Sequence, residues 1–164
     1  MATRAKEKPP ATPRTRYEDD LYSWVQEQVA LLRAGKLDEI DALNVAEELG
    51  DVGISQFRAL ESALSLLTMH LLKWDYQPQR RTRSWELTVQ AQRERIADVL
   101  ADNPGLKGRL NEAVERGYKY GRIEALKETK LAKDALPSAC PYSYDELSTR
   151  PISYEPQPVR RKKK

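Results

Sequence analysis

The sequence predicts an all-α protein: a helical bundle of four main helices with a short C-terminal helix and disordered basic termini. Three observations carry this. Apolar residues recur three and four positions apart over four long stretches, no stretch alternates with a period of two for long enough to make a strand, and cap-forming or helix-breaking residues stand between the stretches.

The first helix is expected near 16–34. Thr15-x-x-Glu18 has the form of a capping box, Leu21, Trp24, Val25, Gln28, Leu31 and Leu32 fall on one side, and Gly35 is a C-terminal stop. Asp38, Asp41 and Asn44 can each cap the second helix, Asn44 with Glu47 three residues on, so its start is open by a turn or more. Its body is plain: Phe57, Leu60, Leu64, Leu67, Leu71 and Trp74 step by 3, 4, 3, 4, 3 until Pro78 ends it. This is the longest helix, and its broad apolar flank also suits a homodimer.

Ser84 can cap a third helix carrying Trp85, Val89, Gln92, Ile96 and Val99. Asn103-Pro104 reads as stop and restart, since proline suits a first helical turn and disfavours helix in the residue before it. The fourth helix then runs to about Glu128 with Leu106, Leu110, Val114, Ile123 and Leu126 on its apolar side. Gly117 and Gly121 lie on it, each costing roughly 1 kcal/mol relative to Ala; a close helix crossing would explain keeping both. Ser143-x-x-Glu146, after Pro137 and Pro141, predicts a final helix near 144–149. Trp24, Trp74 and Trp85 are expected mostly in the core.

A chain of 164 residues fits one folded domain, placed at 17–150 between basic tails at 1–16 and 151–164. Residues 1–16 hold five Lys or Arg against Glu7, and 155–164 hold five against Glu155. Each end is therefore +4, and with a whole-chain charge of +3 the segment 17–154 stands at −5. The basic pI comes from the tails, whose Pro and charge leave little to bury. Cys140 is the lone cysteine, which suits a reducing compartment, so a cytoplasmic protein is expected. The N-terminus lacks the apolar run of a secretory signal. The most apolar run, ALSLLTMHLL at 63–72, falls far short of the roughly 20 residues that span a bilayer, so no membrane partner is expected.

Four stretches carry a family resemblance: Tyr17-Glu-Asp-Asp20, Ala46-Glu-Glu-Leu49, the block HLLKWDYQPQRRTRSW from His70 to Trp85, and Cys140-Pro-Tyr-Ser-Tyr-Asp-Glu-Leu147. The chain resembles, over about 17–149, the bacterial family catalogued as domain of unknown function number twenty-nine. The central block is its most specific piece. The resemblance implies a small helical protein of bacteria, cyanobacteria prominent among them, with no established activity and no catalytic residues to transfer. The basic tails lie outside the matched stretch.

The central block holds the only histidine, two of three tryptophans and three arginines. Arg80, Arg81 and Arg83 before a helix start at Ser84 would join guanidinium donors to unpaired backbone N–H groups, a corner that holds a phosphate or sulfate. The competing reading lays the arginines over Trp74, Tyr76 and Trp85, or against carboxylates, so that they only fix the turn. His70 would need partners to act as base or ligand. Glu47, Glu48 and Asp51 are the tempting ones, but Glu48 and His70 are 22 residues apart, roughly 33 Å along a straight helix. One hydrogen bond would satisfy a structural His70 instead.

With Asp38, Glu39 and Asp41, the residues Glu47, Glu48 and Asp51 make a negative end. It reads as a solvated helix start or, less simply, as a polar site for acid–base work or a hard cation. No cofactor and no metal are expected, because Gly-rich phosphate loops, nucleophile elbows and Cys-x-x-Cys pairs are missing; Cys140 has no neighbouring His to activate it. Three functions follow. The leading one is a non-enzymatic module for an unidentified protein partner. The second is a nucleic-acid-associated regulatory or antitoxin-like protein, binding weakly through its basic tails and the Arg80–Arg83 turn. The third is a metal- or anion-dependent activity at His70 or at Glu47, Glu48 and Asp51.

Overall fold

A computed structural model describes residues 15–155, so 1–14 and 156–164 of the two basic tails lie outside it. The fold is all-α, with four main helices and a short fifth: α1 (Leu21–Arg33), α2 (Ala42–Tyr76), α3 (Arg83–Asp102), α4 (Leu110–Thr129) and α5 (Tyr144–Thr149). The described residues contain no strand. The helices group into two compact units that divide within α2, one ending at Val52 and the other beginning at Gly53.

In the first unit α1 starts five residues later than predicted. Asp20, in extended backbone, accepts from the Ser23 N–H at 3.1 Å and is the N-cap. Thr15 cannot cap, because its backbone N–H and hydroxyl both hold the Glu27 carboxylate, at 3.1 and 2.6 Å. Trp24 and Gln28 are buried, whereas Leu21 and Leu32, expected on the apolar side, are exposed. Gly35 stops the helix with φ +67°, a left-handed backbone that favours glycine. Among the three candidate caps of α2, Asp41 is used: its carboxylate accepts from the Asn44 N–H at 3.3 Å. Its own N–H is pinned by Gln28 Oε1 at 2.9 Å, which sets the helix start.

In the second unit α2, α3 and α4 run up, down and up. Asn103 at the end of α3 reaches Gln56 on α2, and Trp85 at its start lies beneath Lys73, so α2 and α3 are antiparallel. Stepping four residues along α4 steps four along α2: Gly117 meets Glu61, Leu64 and Ser65, and Gly121 meets Ser65, Thr68 and Met69. These two helices are parallel, and their glycines mark the crossing. A Cβ on Gly117 would stand 2.7 Å from the Leu64 Cβ and 3.1 Å from the Glu61 carbonyl. Thr68 fits beside Gly121 because its hydroxyl turns back to the Leu64 carbonyl at 2.8 Å.

The core is the predicted seam of α2, from Phe57 to Leu71, closed by Val89, Ile96, Val114, Tyr118, Ala125 and Leu147. Three local expectations change. α3 is capped by Thr82, whose hydroxyl accepts from the Trp85 N–H at 3.3 Å; Ser84 is already helical and cannot serve. Pro104 opens a 3₁₀ stretch, Pro104–Arg109, before α4 proper. Ile123 is exposed, since the glycine crossing turns the Val114–Tyr118–Ala125 side inward. Trp24 and Trp74 are buried as expected, but Trp85 is half-buried. The final helix matches its prediction, with both hydrogen bonds of the Ser143–Glu146 capping box formed.

Candidate interaction surfaces

The block from His70 to Trp85 comprises the end of α2, a 3₁₀ turn (Pro78–Arg80) and the start of α3. Its arginines divide. Arg81 donates from Nε to the Trp74 carbonyl at 2.9 Å and lies 4.9 Å over the Trp74 ring, closing the turn. Arg80, Arg83 and Ser84 are exposed. The cation over Trp85 is Lys73, 4.5 Å from the ring centre and nearly buried, with Glu128 of α4 as its ion-pair partner. Gln77 completes the junction, donating to the Thr129 carbonyl at 3.3 Å.

His70 is buried, and its Nδ1 lies 3.0 Å from the Leu66 carbonyl one turn back. A carbonyl only accepts, so Nδ1 carries the proton. Burial holds the imidazole below its usual pKa, an effect that the Leu66 carbonyl opposes and the Lys73 charge reinforces. No carboxylate from 47–51 hydrogen-bonds to it. Among the described residues no three His, Cys, Asp or Glu side chains gather closely enough to hold a metal ion.

Glu47, Glu48 and Asp51 belong to the first unit. Glu48 accepts from the Tyr17 hydroxyl at 2.6 Å; this bond and the surrounding negative charge push the Tyr17 pKa up to about 12. Tyr17 stands edge-on to Trp24, ring centres 4.9 Å apart. At about 100° per residue, Asn44, Glu47, Glu48 and Asp51 share one half of the helix circumference, and Leu43, Val45, Ala46, Leu49, Gly50 and Val52 share the other. Tyr17 packs on the polar half. In the apolar half Leu43, Leu49 and Val52 are 86, 68 and 59 % exposed and Val45 is half-buried; in the polar half Glu47 and Asp51 are exposed and Glu48 is half-buried. An amphipathic helix normally buries its apolar side, and here three large apolar residues are left to solvent.

Each unit also has a cleft that the sequence did not signal. In the first, an open cleft of about 400 Å³ lies near Tyr17, Trp24, Gln28, Asp38 and Asp41. In the second, about 680 Å³ lies between α4 and residues 138–144, bounded by Tyr118, Arg122, Ile123, Cys140 and Tyr144. Both form by tertiary folding of loops onto helices, for which no local pattern exists. In the larger cleft Tyr118 donates to the Pro137 carbonyl at 2.6 Å, and Arg122 holds the carbonyls of Lys133 and Leu136. Cys140 gives its thiol to the Tyr142 carbonyl at 3.4 Å, and burial pushes its pKa up, so the thiolate a nucleophile needs is disfavoured. Asp75 at the end of α2 ties down the chain beyond α5: it accepts from the Tyr142 hydroxyl at 2.8 Å and from both Arg150 terminal nitrogens at 3.0 and 2.9 Å.

Among the described residues no helix is long and apolar enough to cross a membrane. Neither the curated proteins nor the solved structures contain a match to the chain. The family model described as a domain of unknown function, DUF29, matches residues 16–150, the stretch that holds all five helices and the four sequence blocks, and the chain belongs to that family.

Proposed function

We propose that the protein is a non-enzymatic interaction module whose contact surface is the outward apolar half of α2 between Leu43 and Val52. The observation that supports this is the exposure of Leu43 and Leu49 on a helix whose Glu48 is held by the Tyr17 hydroxyl. Contiguous exposed apolar surface of this kind marks association sites in soluble proteins. The occupant that suits it is a second helix of the same character, and a second copy of the chain supplies one.

Magnitudes set the strength. Burying a leucine fully contributes roughly 1.5–3 kcal/mol, so two from each copy give roughly 6–12, against about 4–15 kcal/mol for lost rigid-body freedom. Only the favourable ends of both ranges reach the roughly 8 kcal/mol of a micromolar complex, so the expectation is a weak dimer, to be sought up to the high micromolar range. Light scattering coupled to gel filtration should show a concentration-dependent dimer that Leu43→Glu with Leu49→Glu abolishes, with the helical circular dichroism unchanged. A wild-type chain that stays monomeric throughout that range refutes self-association at this surface.

A further inference from the structure

The larger cleft of the second unit has an apolar floor and a few fixed polar groups. Val114, Glu115, Tyr118, Lys119, Arg122 and Ile123 step along one face of α4 for about 14 Å and form one wall. The other wall is the chain from Ser138 to Ser143, which lies in no helix, with Tyr144 after it. Val114, Tyr118 and Tyr142 line the cleft while almost wholly buried, so they are its floor; Ile123, 51 % exposed, stands at the rim. Its volume of about 680 Å³ falls within the range of roughly 300–1,000 Å³ that small-molecule sites occupy.

Charge in the cleft is unbalanced. Arg122 is oriented by neutral groups: Nε and Nη2 donate to the Leu136 carbonyl at 3.3 and 3.1 Å, and Nη2 also to the Lys133 carbonyl. The carboxylates along α4 are engaged elsewhere, Glu112 with Arg109 and Arg116, Glu124 with Lys127, and Glu128 with Lys73. Among the described residues no carboxylate forms an ion pair with Arg122 or with Lys119, whose ammonium lies 6.0 Å over the Tyr120 ring. Glu146, beside the far wall, is held by the Ser143 N–H and hydroxyl at 2.8 Å each. Carbonyls fix a guanidinium without bringing a counter-charge, so an anion entering here meets a donor already in place.

We propose that this cleft binds a small organic anion, an aromatic ring bearing a carboxylate, with the charge at Arg122 and Lys119 and the ring over Val114, Tyr118 and Tyr142. Two tyrosine rings in the floor favour an aromatic body, which they can meet edge-on or offset. Two cations against Glu115 leave the lining at +1, which a single carboxylate balances and a doubly charged phosphate exceeds. The site uses no residue of the first unit, so it stands or falls apart from the apolar surface there.

The test is titration of the isotope-labelled full chain with naphthalene-1-carboxylate and with the neutral naphthalene-1-carboxamide, followed by backbone amide NMR shifts. Probes of this size bind in about the millimolar range, so the titration runs to about 10 mM. The carboxylate should shift amides in 111–123 and 138–144 saturably, and the carboxamide should bind about 10-fold more weakly. Arg122→Gln, which keeps a donor for the Leu136 carbonyl, should weaken the carboxylate about 10-fold and leave the carboxamide unchanged, while Arg122→Lys keeps most of the binding. Lys119→Glu, at an exposed position, should weaken the carboxylate alone, and Lys107→Glu, outside the cleft, should not. The lone thiol, Cys140, lines the cleft and gives a second readout: the carboxylate should slow its alkylation by iodoacetamide in wild type and less so in Arg122→Gln. No saturable shift, equal affinity for the carboxamide, or equal weakening by Lys107→Glu overturns the site. Binding of a short peptide through its terminal carboxylate, with none of the free acid, overturns the small molecule in favour of a polypeptide.

Discussion

Replacing Gly121 with alanine should destabilise the second unit, whereas the same change at Gly53 should stabilise it. Both glycines lie inside helices, where alanine is favoured by about 1 kcal/mol. Gly53 has no atom within 4 Å of the position a Cβ would take, so the propensity term stands alone. At Gly121 the new methyl would collide with the Thr68 hydroxyl and with the Ser65 carbonyl, which is backbone and cannot rotate away. Thr68 is itself fully buried and bonded to the Leu64 carbonyl. Relief requires moving α4 off α2, an overpacking cost of about 3 kcal/mol or more, so the net loss is about 2 kcal/mol. Urea unfolding followed by circular dichroism measures both, with the m-value checking that the transition stays two-state. If Gly121→Ala is neutral or stabilising, the close α2–α4 crossing is wrong.

The remaining expectations concern pH and the chain beyond α5. His70 is held below its usual 6.5, so as pH falls below that value the unfolded chain takes up a proton that the folded chain resists. Its stability contribution is present above pH 6.5 and lost on acidification; His70→Gln should flatten the dependence of the urea midpoint between about pH 7.5 and 5.5, and an unchanged slope would contradict the burial. Tyr118, raised from 10.0 to about 12 chiefly by burial, acts at the other end. Its contribution is full below pH 10 and lost as pH rises towards 12, a slope that Tyr118→Phe should reduce, with ultraviolet titration of the phenolates as the check. Asp75→Asn removes the charge that holds Arg150 and Tyr142 and should cost about 1–3 kcal/mol. It should also speed chymotryptic cleavage after Tyr154, four residues beyond the clamp, and wild-type rates would refute the clamp.

Much of the helical content was legible because it follows from local rules. The 3, 4 seam from Phe57 to Leu71 becomes the core of the second unit, Pro78 ends α2, and Ser143 and Glu146 form their box. Where the local rules offered several answers, a distant contact chose. Gln28 selected Asp41 over Asp38 and Asn44, and Glu27 withdrew Thr15 from capping. The candidate surfaces were legible only in part. The arginines and tryptophans of the turn could be named from sequence, but the cation over Trp85 is Lys73, and its partner Glu128 lies fifty-five residues away on α4.

What the sequence determined by itself was the set of rods: apolar spacing and caps act within a few residues, and those interactions are present in any conformation of the chain. What the tertiary structure decided was which side of each rod is inward. Two glycines let α4 approach α2 so closely that Ile123 turns out and Tyr118 turns in. One tyrosine hydroxyl holds Glu48 near the start of α2, where Leu43 and Leu49 are left exposed. Periodicity fixes the relative angles of side chains about a helix axis but not the rotation of the helix against its neighbours, and that rotation depends on contacts between residues far apart in the chain.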